Sequence, residues 1–209
     1  IKEQNLSFVY EHIELPLEPI LRAMEKRGVL IDRALLAQLS KTYRAQLDAL
    51  AKRIFSVAGG EFNINSPKQL GEVLFDKLGL EAKKKTAGGA RSTRESELEK
   101  MKDIHPVVAD ILSYRELQKL LSTYIDTIPT LLDEKNRLHT SFIQTGTTTG
   151  RLASQNPNLQ NIPIKTDLGR AIRHAFVTQK GWSLVSFDYS QIELRIAALL
   201  SGDKGLAEI

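Results

Sequence analysis

One aspartate at the end of an apolar run is the residue best placed to do chemistry in this sequence. In the stretch VSFDYSQIELR, residues 185–195, a strand-like run reaches Asp188, and a helical pattern begins at Gln191. A carboxylate on a strand end suits Mg²⁺, which takes oxygen ligands from one or two carboxylates and from substrate phosphates. Ser190 and Glu193 also have the spacing of a helix capping box. Glu193 could therefore serve only as a cap, and Asp188 could be a turn residue favoured by the helix dipole.

An amide-rich segment is the second candidate site. Amides cost free energy to bury without hydrogen-bond partners, so they should face water or a polar ligand. The minor groove of DNA is such a ligand, because every base pair shows acceptors there to which Arg, Asn and Gln can donate without reading sequence. A solvated loop that caps its own turns is the alternative interpretation. The segment holds Arg151, Gln155, Asn156, Asn158, Gln160 and Asn161.

Positive charge is concentrated around that segment. Between residues 135 and 181, seven Lys and Arg residues face a single acid, Asp167, whereas the whole chain has 29 basic and 25 acidic residues. A basic segment of this kind predicts a polyanionic partner.

A second basic stretch, residues 83–94, has small residues and no apolar periodicity, so we expect a mobile tip. Its lysines, Lys83 to Lys85, are either phosphate contacts or simply solvated. Helix N-termini expected at Ser66 and Ser92 would add N–H donors for phosphates.

The elements that must position these groups are mainly helical in the first two thirds of the chain. Asp32, Ser66 and Ser92 are predicted N-caps, and Gly28 closes the first helix. Apolar residues at spacings of three and four support the long helices. The predicted helices are residues 17–27, 33–58, 67–77, 93–101 and 106–126.

After Pro129 the pattern becomes strand-like. Residues 138–146 and 175–188 are rich in β-branched and aromatic side chains, with a turn at Lys180-Gly181, and a helix follows from Gln191 to about Ser201. The predicted class is α+β: a mainly helical arm followed by a partial antiparallel sheet with a helix after the strand that carries Asp188.

Composition limits the possible environments. The 209 residues include no cysteine, which excludes disulfides and thiolate metal sites and predicts a reducing, cytoplasmic setting. No apolar run approaches the ~18 residues of a membrane span, so we expect no membrane partner. Because the first residue is Ile1 rather than Met, we expect a piece of a longer protein.

Two long motifs carry a resemblance to a known family. TTTGRLASQNPNLQNIPIKTDLGRAIRHAFV and FDYSQIELRIAALLSGD resemble family A DNA polymerases, the family of bacterial DNA polymerase I. Upstream, LPLEPILRAMEKRGVLID, FNINSPKQLGEVLF, KKKTAGGARST and SYRELQKLLSTYID are similar to the same family in the same order. The resemblance covers essentially the whole chain.

The resemblance implies a division of the chain and roles for its residues. Residues 1–31 would be a connecting segment, 32–134 the helical thumb, and 135–209 part of the palm. Asp188 and the carbonyl of Tyr189 would bind Mg²⁺, and Glu193 would exclude a ribose 2′-hydroxyl. The residues implied to bind the deoxynucleoside triphosphate are Tyr189, Ser190, Gln191, Ile192 and Glu193.

The resemblance also implies contacts to primer–template DNA. Arg151 would lie at the primer-terminal minor groove. The other implied contacts come from the amide-rich segment and from the thumb: Asn158, Gln160, Asn161, Lys165, Ser66, Lys68, Thr93, Lys119, Ser122, Thr123 and Tyr124.

Two Mg²⁺ ions in the complete polymerase would activate the primer 3′-hydroxyl and stabilise the leaving pyrophosphate. The resemblance places the second metal-binding aspartate and the nucleotide-gripping fingers in sequence outside these 209 residues. We therefore expect the chain alone not to polymerise, and to need the remainder of the same polymerase.

Three other functions stay open at this stage. A non-catalytic duplex-binding module would share every feature except a need for Asp188. A relative that uses RNA is a second alternative, although Glu193 argues against ribonucleotide use. An α+β scaffold with no ligand would show no salt-dependent DNA binding.

Overall fold

The first described elements are consecutive helical segments, which end at Gly28. The computed structural model describes residues 4–81, 84, 89 and 91–207. Gly28 ends the last of the first helices with φ +60°, and a Cβ there would lie 2.8 Å from the ring of His139. Glycine is therefore required both by the backbone conformation and by the close approach of the histidine. The segments are α1 (Ser7–Val9), a π-helical segment (Tyr10–Glu14) and α2 (Leu15–Arg27).

A small antiparallel sheet joins three distant parts of the chain. β1 (Val29–Ile31) lies between β2 (Arg137–Leu138) and β5 (Phe176–Val177). The register pairs Val29 with Leu138 and Ile31 with Phe176. β1 was not predicted from the sequence, because a three-residue strand exists only through these partners.

Two long helices run antiparallel and organise most of the described core. α3 (Arg33–Ala58) begins at the predicted cap, where the Asp32 carboxylate accepts the N–H of Leu35 at 3.0 Å. α6 (Pro106–Leu120) continues as a π-helical segment (Leu121–Ile125), and together they account for the predicted helix of residues 106–126. Ion pairs from Arg44 to Asp126 and from Arg53 to Asp110 join the two helices, and the order of these partners shows that the helices run antiparallel.

Each end of this helix pair has its own apolar core. The first core holds Leu36 and Tyr43 from α3, Leu120 and Tyr124 from the α6 end, and residues of the sheet. The second core surrounds Ile54 and includes Ile111. A long apolar stripe on each helix is thus divided between two clusters.

The second core holds the short helices of the arm. Ser66 caps α4 (Pro67–Gly71) through the N–H of Gln69, and a π-helical segment (Glu72–Lys77) completes the predicted helix. α5 (Glu95–Glu99) has Arg94, not the predicted Ser92, at its N-cap. The Ser92 hydroxyl instead accepts the N–H of Arg94 at 3.4 Å, two residues on, which closes a turn before the helix.

A β-hairpin and a short helix follow the 3₁₀ turn Ile128–Thr130. β3 (Ser141–Ile143) pairs antiparallel with β4 (Ala153–Gln155), and α7 (Asp167–Arg173) is capped by the Thr166 hydroxyl. The predicted strand-like stretch 138–146 therefore contributes the end of β2 and all of β3.

Residues 178–209 form a separate compact unit, whose described part has two helices, α8 (Ile192–Ser201) and α9 (Lys204–Ala207). The predicted strand before Asp188 is wrong beyond Val177, since residues 183–189 form no strand. A strand needs a hydrogen-bonded neighbour, and among the described residues none pairs with this run. The capping box predicted from Ser190 is also wrong. Gln191, at φ +51°, is the N-cap, and it makes no side-chain cap bond.

The predicted α+β class is confirmed by these helices and small antiparallel sheets. The other compact unit, residues 1–177, includes both sheets. One of them pairs β1 of the predicted connecting segment with β2 and β5 of the predicted palm.

Candidate nucleic-acid interface and metal-binding aspartate

A cleft of about 910 Å³ on the helical arm brings together predicted DNA contacts from separate parts of the sequence. Lys68 comes from the start of α4, and Thr93, only 5% exposed, comes from the turn before α5. Ser66, the N-cap of α4, is not among the residues that line the cleft. Four basic side chains share its lining with two acids. The charged residues of the cleft are Lys68, Arg91, Arg94, Arg115, Glu72 and Asp76.

Two of the four cations of the cleft, Arg91 and Arg115, are held by contacts with neighbouring residues. Arg91 forms an ion pair with Asp76 at 2.5 Å, and its guanidinium lies 5.0 Å from the centre of the Phe75 ring. The hydrogen bond from Arg91 lowers the pKa of Asp76. Arg115 donates to the Thr93 carbonyl at 2.5 Å, while burial lowers the pKa of this arginine.

Arg115 was not among the predicted contacts. It follows Ile111 by four residues, so it stands on the buried face of α6. A guanidinium at an apolar-face position of a helix is the signal by which the sequence could have revealed it.

The predicted contacts at the end of α6 and in its π-helical extension differ in exposure. Lys119, Ser122 and Thr123 are exposed, whereas Tyr124 is only 5% exposed. Its hydroxyl donates to the carbonyl of Asn161 at 2.5 Å. The structure thus brings three of these four side chains to the surface.

The amide-rich segment forms a turn that satisfies part of its own polarity. Ser154 is buried; its N–H donates to Gln160 Oε1 at 3.1 Å, and its hydroxyl accepts from the N–H of Leu159 at 3.0 Å. Gln160 Nε2 donates to the Leu152 carbonyl at 2.8 Å, and its N–H donates to Asn158 Oδ1 at 2.9 Å. The side-chain oxygens of Asn158 and Gln160 thus accept backbone N–H groups of the same turn, as the alternative of a self-capping loop predicts. Both residues are nevertheless exposed.

The two basic residues that flank this turn are both exposed. The Arg151 carbonyl accepts from the Thr147 hydroxyl at 2.8 Å, which closes the turn at the end of the hairpin. The Lys165 carbonyl accepts from the Arg170 guanidinium at 3.0 Å. The main chain at Arg151 and at Lys165 is thus held by a side chain nearby in sequence, and the Arg151 and Lys165 side chains extend from these held positions.

Of the predicted basic tip, Lys83 and Lys85 lie outside the described residues. Lys84 is exposed.

Asp188 lies in the second compact unit, in an exposed stretch directly before α8. Tyr189 is 80% exposed, and Glu193 is in the first turn of α8. Arg195 Nε donates to the Ser190 carbonyl at 2.9 Å, which ties the turn after Asp188 to the helix. The residues predicted to bind nucleotide, from Tyr189 to Glu193, are therefore consecutive on one turn and the start of one helix.

The donor set around Asp188 is small. Within the part of the chain that the structure describes, no group of three or more acids and histidines is arranged to hold a metal ion. One carboxylate and a neighbouring carbonyl fit a shared Mg²⁺ site that other ligands would complete. None of the described helices is both long and apolar enough to cross a bilayer.

Known proteins of one family are similar to this chain over nearly its whole length. The model of the family described as DNA polymerase family A matches residues 33–209. The chain is 52% identical over 209 residues to a thermostable DNA polymerase I of Thermus thermophilus, covering 99% of the chain and 25% of that protein. It is 46% identical to the DNA polymerase I of Chloroflexus aurantiacus, covering 98% and 22%. The chain thus spans about a quarter of the length of the curated relatives it matches.

One solved structure is similar over nearly the whole chain. It is described as the POL domain of Pol1 from M. smegmatis in complex with DNA primer-template and dNTP. The TM-score is 0.87 at 40% sequence identity, and the match covers 96% of this chain and 36% of that one.

Proposed function

This chain belongs to DNA polymerase family A, and on that premise we propose that it holds primer–template duplex and supplies one of the two aspartates for metal-assisted nucleotidyl transfer. Residues 32–134 would be the thumb, residues 135–209 the first part of the palm, and residues 1–31 a connecting segment. A cytoplasmic location belongs to the same proposal and rests on the cysteine-free sequence.

The convergence at the cleft carries the duplex-binding part of this proposal. Lys68 and Thr93 were predicted as contacts from a resemblance, and they share one cleft with three arginines. Guanidinium and ammonium groups neutralise phosphates and release counterions, which gives sequence-independent affinity. The exposed face of Lys119, Ser122 and Thr123 on the same arm would extend the contact along the duplex.

The amide-rich segment would meet the minor groove. Arg151, Asn158, Gln160, Asn161 and Lys165 would donate to purine N3 and pyrimidine O2, which every base pair presents there. Hydrogen bonds hold the main chain at Arg151, Gln160 and Lys165, so little ordering of the backbone is needed on binding. The DNA and dNTP named with the M. smegmatis relative support the same partners for this chain.

Mg²⁺ would be held by the Asp188 carboxylate and the Tyr189 carbonyl together with ligands from the rest of the polymerase. When bound, two such ions would activate the primer 3′-hydroxyl and stabilise the leaving pyrophosphate. Glu193 would form the wall that excludes a ribose 2′-hydroxyl. Ser190, Gln191 and Ile192 would line the deoxynucleotide beside it.

The cleft is tested by the salt dependence of duplex binding. We expect Lys68→Ala and Arg94→Ala to weaken binding about three- to tenfold and to reduce the slope of log K against log salt by about 0.9 for each phosphate that is no longer neutralised. Lys52→Ala removes the same charge from an exposed position of α3 outside the cleft, and it should change neither quantity. Equal effects of Lys52→Ala and Lys68→Ala would contradict a specific role for the cleft.

The catalytic part is tested by primer extension. We expect the 209-residue chain to bind duplex without extending a primer, because it offers one of the two required aspartates. In the complete polymerase, Asp188→Ala should abolish synthesis and leave duplex binding intact. Extension by the chain alone at verified mass, or synthesis by the Asp188→Ala polymerase, would contradict the assignment.

A further inference from the structure

The connection between the amide-rich turn and α7 is fastened at both ends by buried phenols. Tyr124, from the π-helical end of α6, donates its hydroxyl to the Asn161 carbonyl at 2.5 Å. Tyr43, from α3, donates to the Leu168 carbonyl at 2.8 Å. The two tyrosines are only 5% and 3% exposed.

Other contacts hold the same connection against the helix pair. Leu159, Ile162 and Leu168 pack on the first core. Arg170 donates to the carbonyls of Ile164 and Lys165 at 3.2 and 3.0 Å. The main chain of residues 161–168 is therefore fixed at several points while the Asn161 and Lys165 side chains are exposed.

We propose that Tyr124 and Tyr43 are positioning residues whose hydroxyls hold residues 161–168 where Asn161 and Lys165 meet the duplex. The inference rests on the proposed function, because it takes the contacts of Asn161 and Lys165 with DNA as given. Tyr124, predicted from the resemblance as a residue at or near the duplex, here acts through Asn161. The thumb helices thereby set the geometry of a segment that is far away in sequence.

The hydroxyls rather than the rings carry this role. Phenylalanine would fill the same core volume, but it would leave the Asn161 and Leu168 carbonyls without these donors. Burial raises the pKa of both phenols, so they remain protonated donors at neutral pH.

The first test is Tyr124→Phe in the 209-residue chain, with duplex affinity measured at several salt concentrations. We expect about five- to tenfold weaker binding with an unchanged salt slope, since the same phosphates are still neutralised. Tyr10→Phe removes an exposed phenol on the first helical segments and should leave the affinity unchanged.

A double-mutant cycle separates positioning from general loss of structure. If Tyr124 acts through Asn161, the variant with both Tyr124→Phe and Asn161→Ala should bind no more weakly than the weaker single variant. Lys68→Ala, in the cleft, should add its full effect to Tyr124→Phe, because the two sites share no partner. The cycle of Tyr43→Phe with Lys165→Ala repeats the test at the other end should Tyr124→Phe fail to fold.

The outcomes distinguish this inference from the proposed function. Unchanged binding by both Asn161→Ala and Lys165→Ala would overturn the DNA contact of this segment, and the inference with it. Weaker binding by those alanine variants, with additive effects of the tyrosine variants or none, would overturn the positioning role alone. Non-additive weakening within each pair supports it.

Discussion

At the scale of single residues, the tightest requirement lies where Gly28 meets His139. A Cβ on Gly28 would lie 2.8 Å from the His139 ring and from the Leu138 carbonyl, at φ +60°. We predict that Gly28→Ala lowers the free energy of unfolding by about 3 kcal/mol, because φ +60° with ψ −178° is a conformation essentially restricted to glycine and because the added Cβ overpacks the site. Urea denaturation measures this change.

Gly59 provides a comparison at a glycine of positive φ without a close contact. It is in the left-handed helical region, with φ +71° and ψ 24°, and nothing lies within 4 Å of the position of its Cβ. Gly59→Ala should cost only the free energy of that left-handed conformation, about 1 kcal/mol. Equal losses at the two positions would contradict the steric account of Gly28.

His139 predicts a pH dependence of stability. Its Nδ1 donates to the Glu25 carbonyl at 2.7 Å, and its Nε2 faces the Asp133 carboxylate at 3.2 Å. The bond to Glu25, and then the bond to Asp133, raise the pKa of His139 above its ordinary value despite the opposing charge of Arg137. A group with a raised pKa stabilises the fold below its unfolded pKa and loses that contribution as pH rises through the folded value.

We therefore expect the Tm of the chain to fall, relative to that of His139→Gln, as pH rises from about 6 to 8. Thermal unfolding followed by circular dichroism at several pH values measures the difference. His12→Gln, which changes an exposed histidine on the first helical segments, should keep the wild-type slope. Parallel curves for wild type and His139→Gln would rule out the proposed linkage.

At the scale of elements, the local sequence signals predicted the helices well. Asp32 and Ser66 cap α3 and α4 as predicted, because a capping hydrogen bond depends only on residues three positions away. Ser92 did not cap α5, since its hydroxyl accepts the N–H of Arg94 two residues on and the helix begins after Arg94.

The cap of α3 can be tested directly. Asp32→Ala should lower the free energy of unfolding by about 1 kcal/mol, because the Leu35 N–H loses its acceptor. Asp32→Ser restores an oxygen at the same position and should recover most of that stability in urea denaturation. Equal stability of the Ala and Ser variants would contradict the capping role.

Strands depend on distant partners, which the sequence does not reveal. β1 was missed because Val29 to Ile31 is a strand only through β2 and β5. The run before Asp188 has strand composition, yet no described residue pairs with it. Likewise, the sequence alone could not reveal that the Tyr124 hydroxyl donates to the Asn161 carbonyl rather than to a ligand.

Hydrogen exchange distinguishes these two runs. The Ile31 N–H donates to the Asn136 carbonyl at 2.9 Å, so its exchange should be slow. Amides from Leu184 to Asp188 should exchange near their intrinsic rates, because they belong to no ladder. Protection of Leu184 to Asp188 as strong as that of Ile31 would contradict this description.

At the scale of the whole molecule, the predicted DNA contacts divide between surfaces and supports. The cleft and the exposed face of α6 gather predicted contacts that are separated by up to 55 positions, from Lys68 to Thr123. The resemblance could name these residues, but only the packing of α3 against α6 shows which side chains are exposed. Tyr124, buried in the first core, is the clearest example.

The affinity of the 209-residue chain for primer–template duplex, measured as a function of salt concentration, is the sharpest test of the proposed function. Binding should weaken steeply as salt rises, with log K falling by about 0.9 per unit of log salt for each phosphate that the cleft and the α6 face neutralise. No binding at low salt, or an affinity that does not change with salt, would contradict the central claim that this chain is the duplex-holding part of a polymerase.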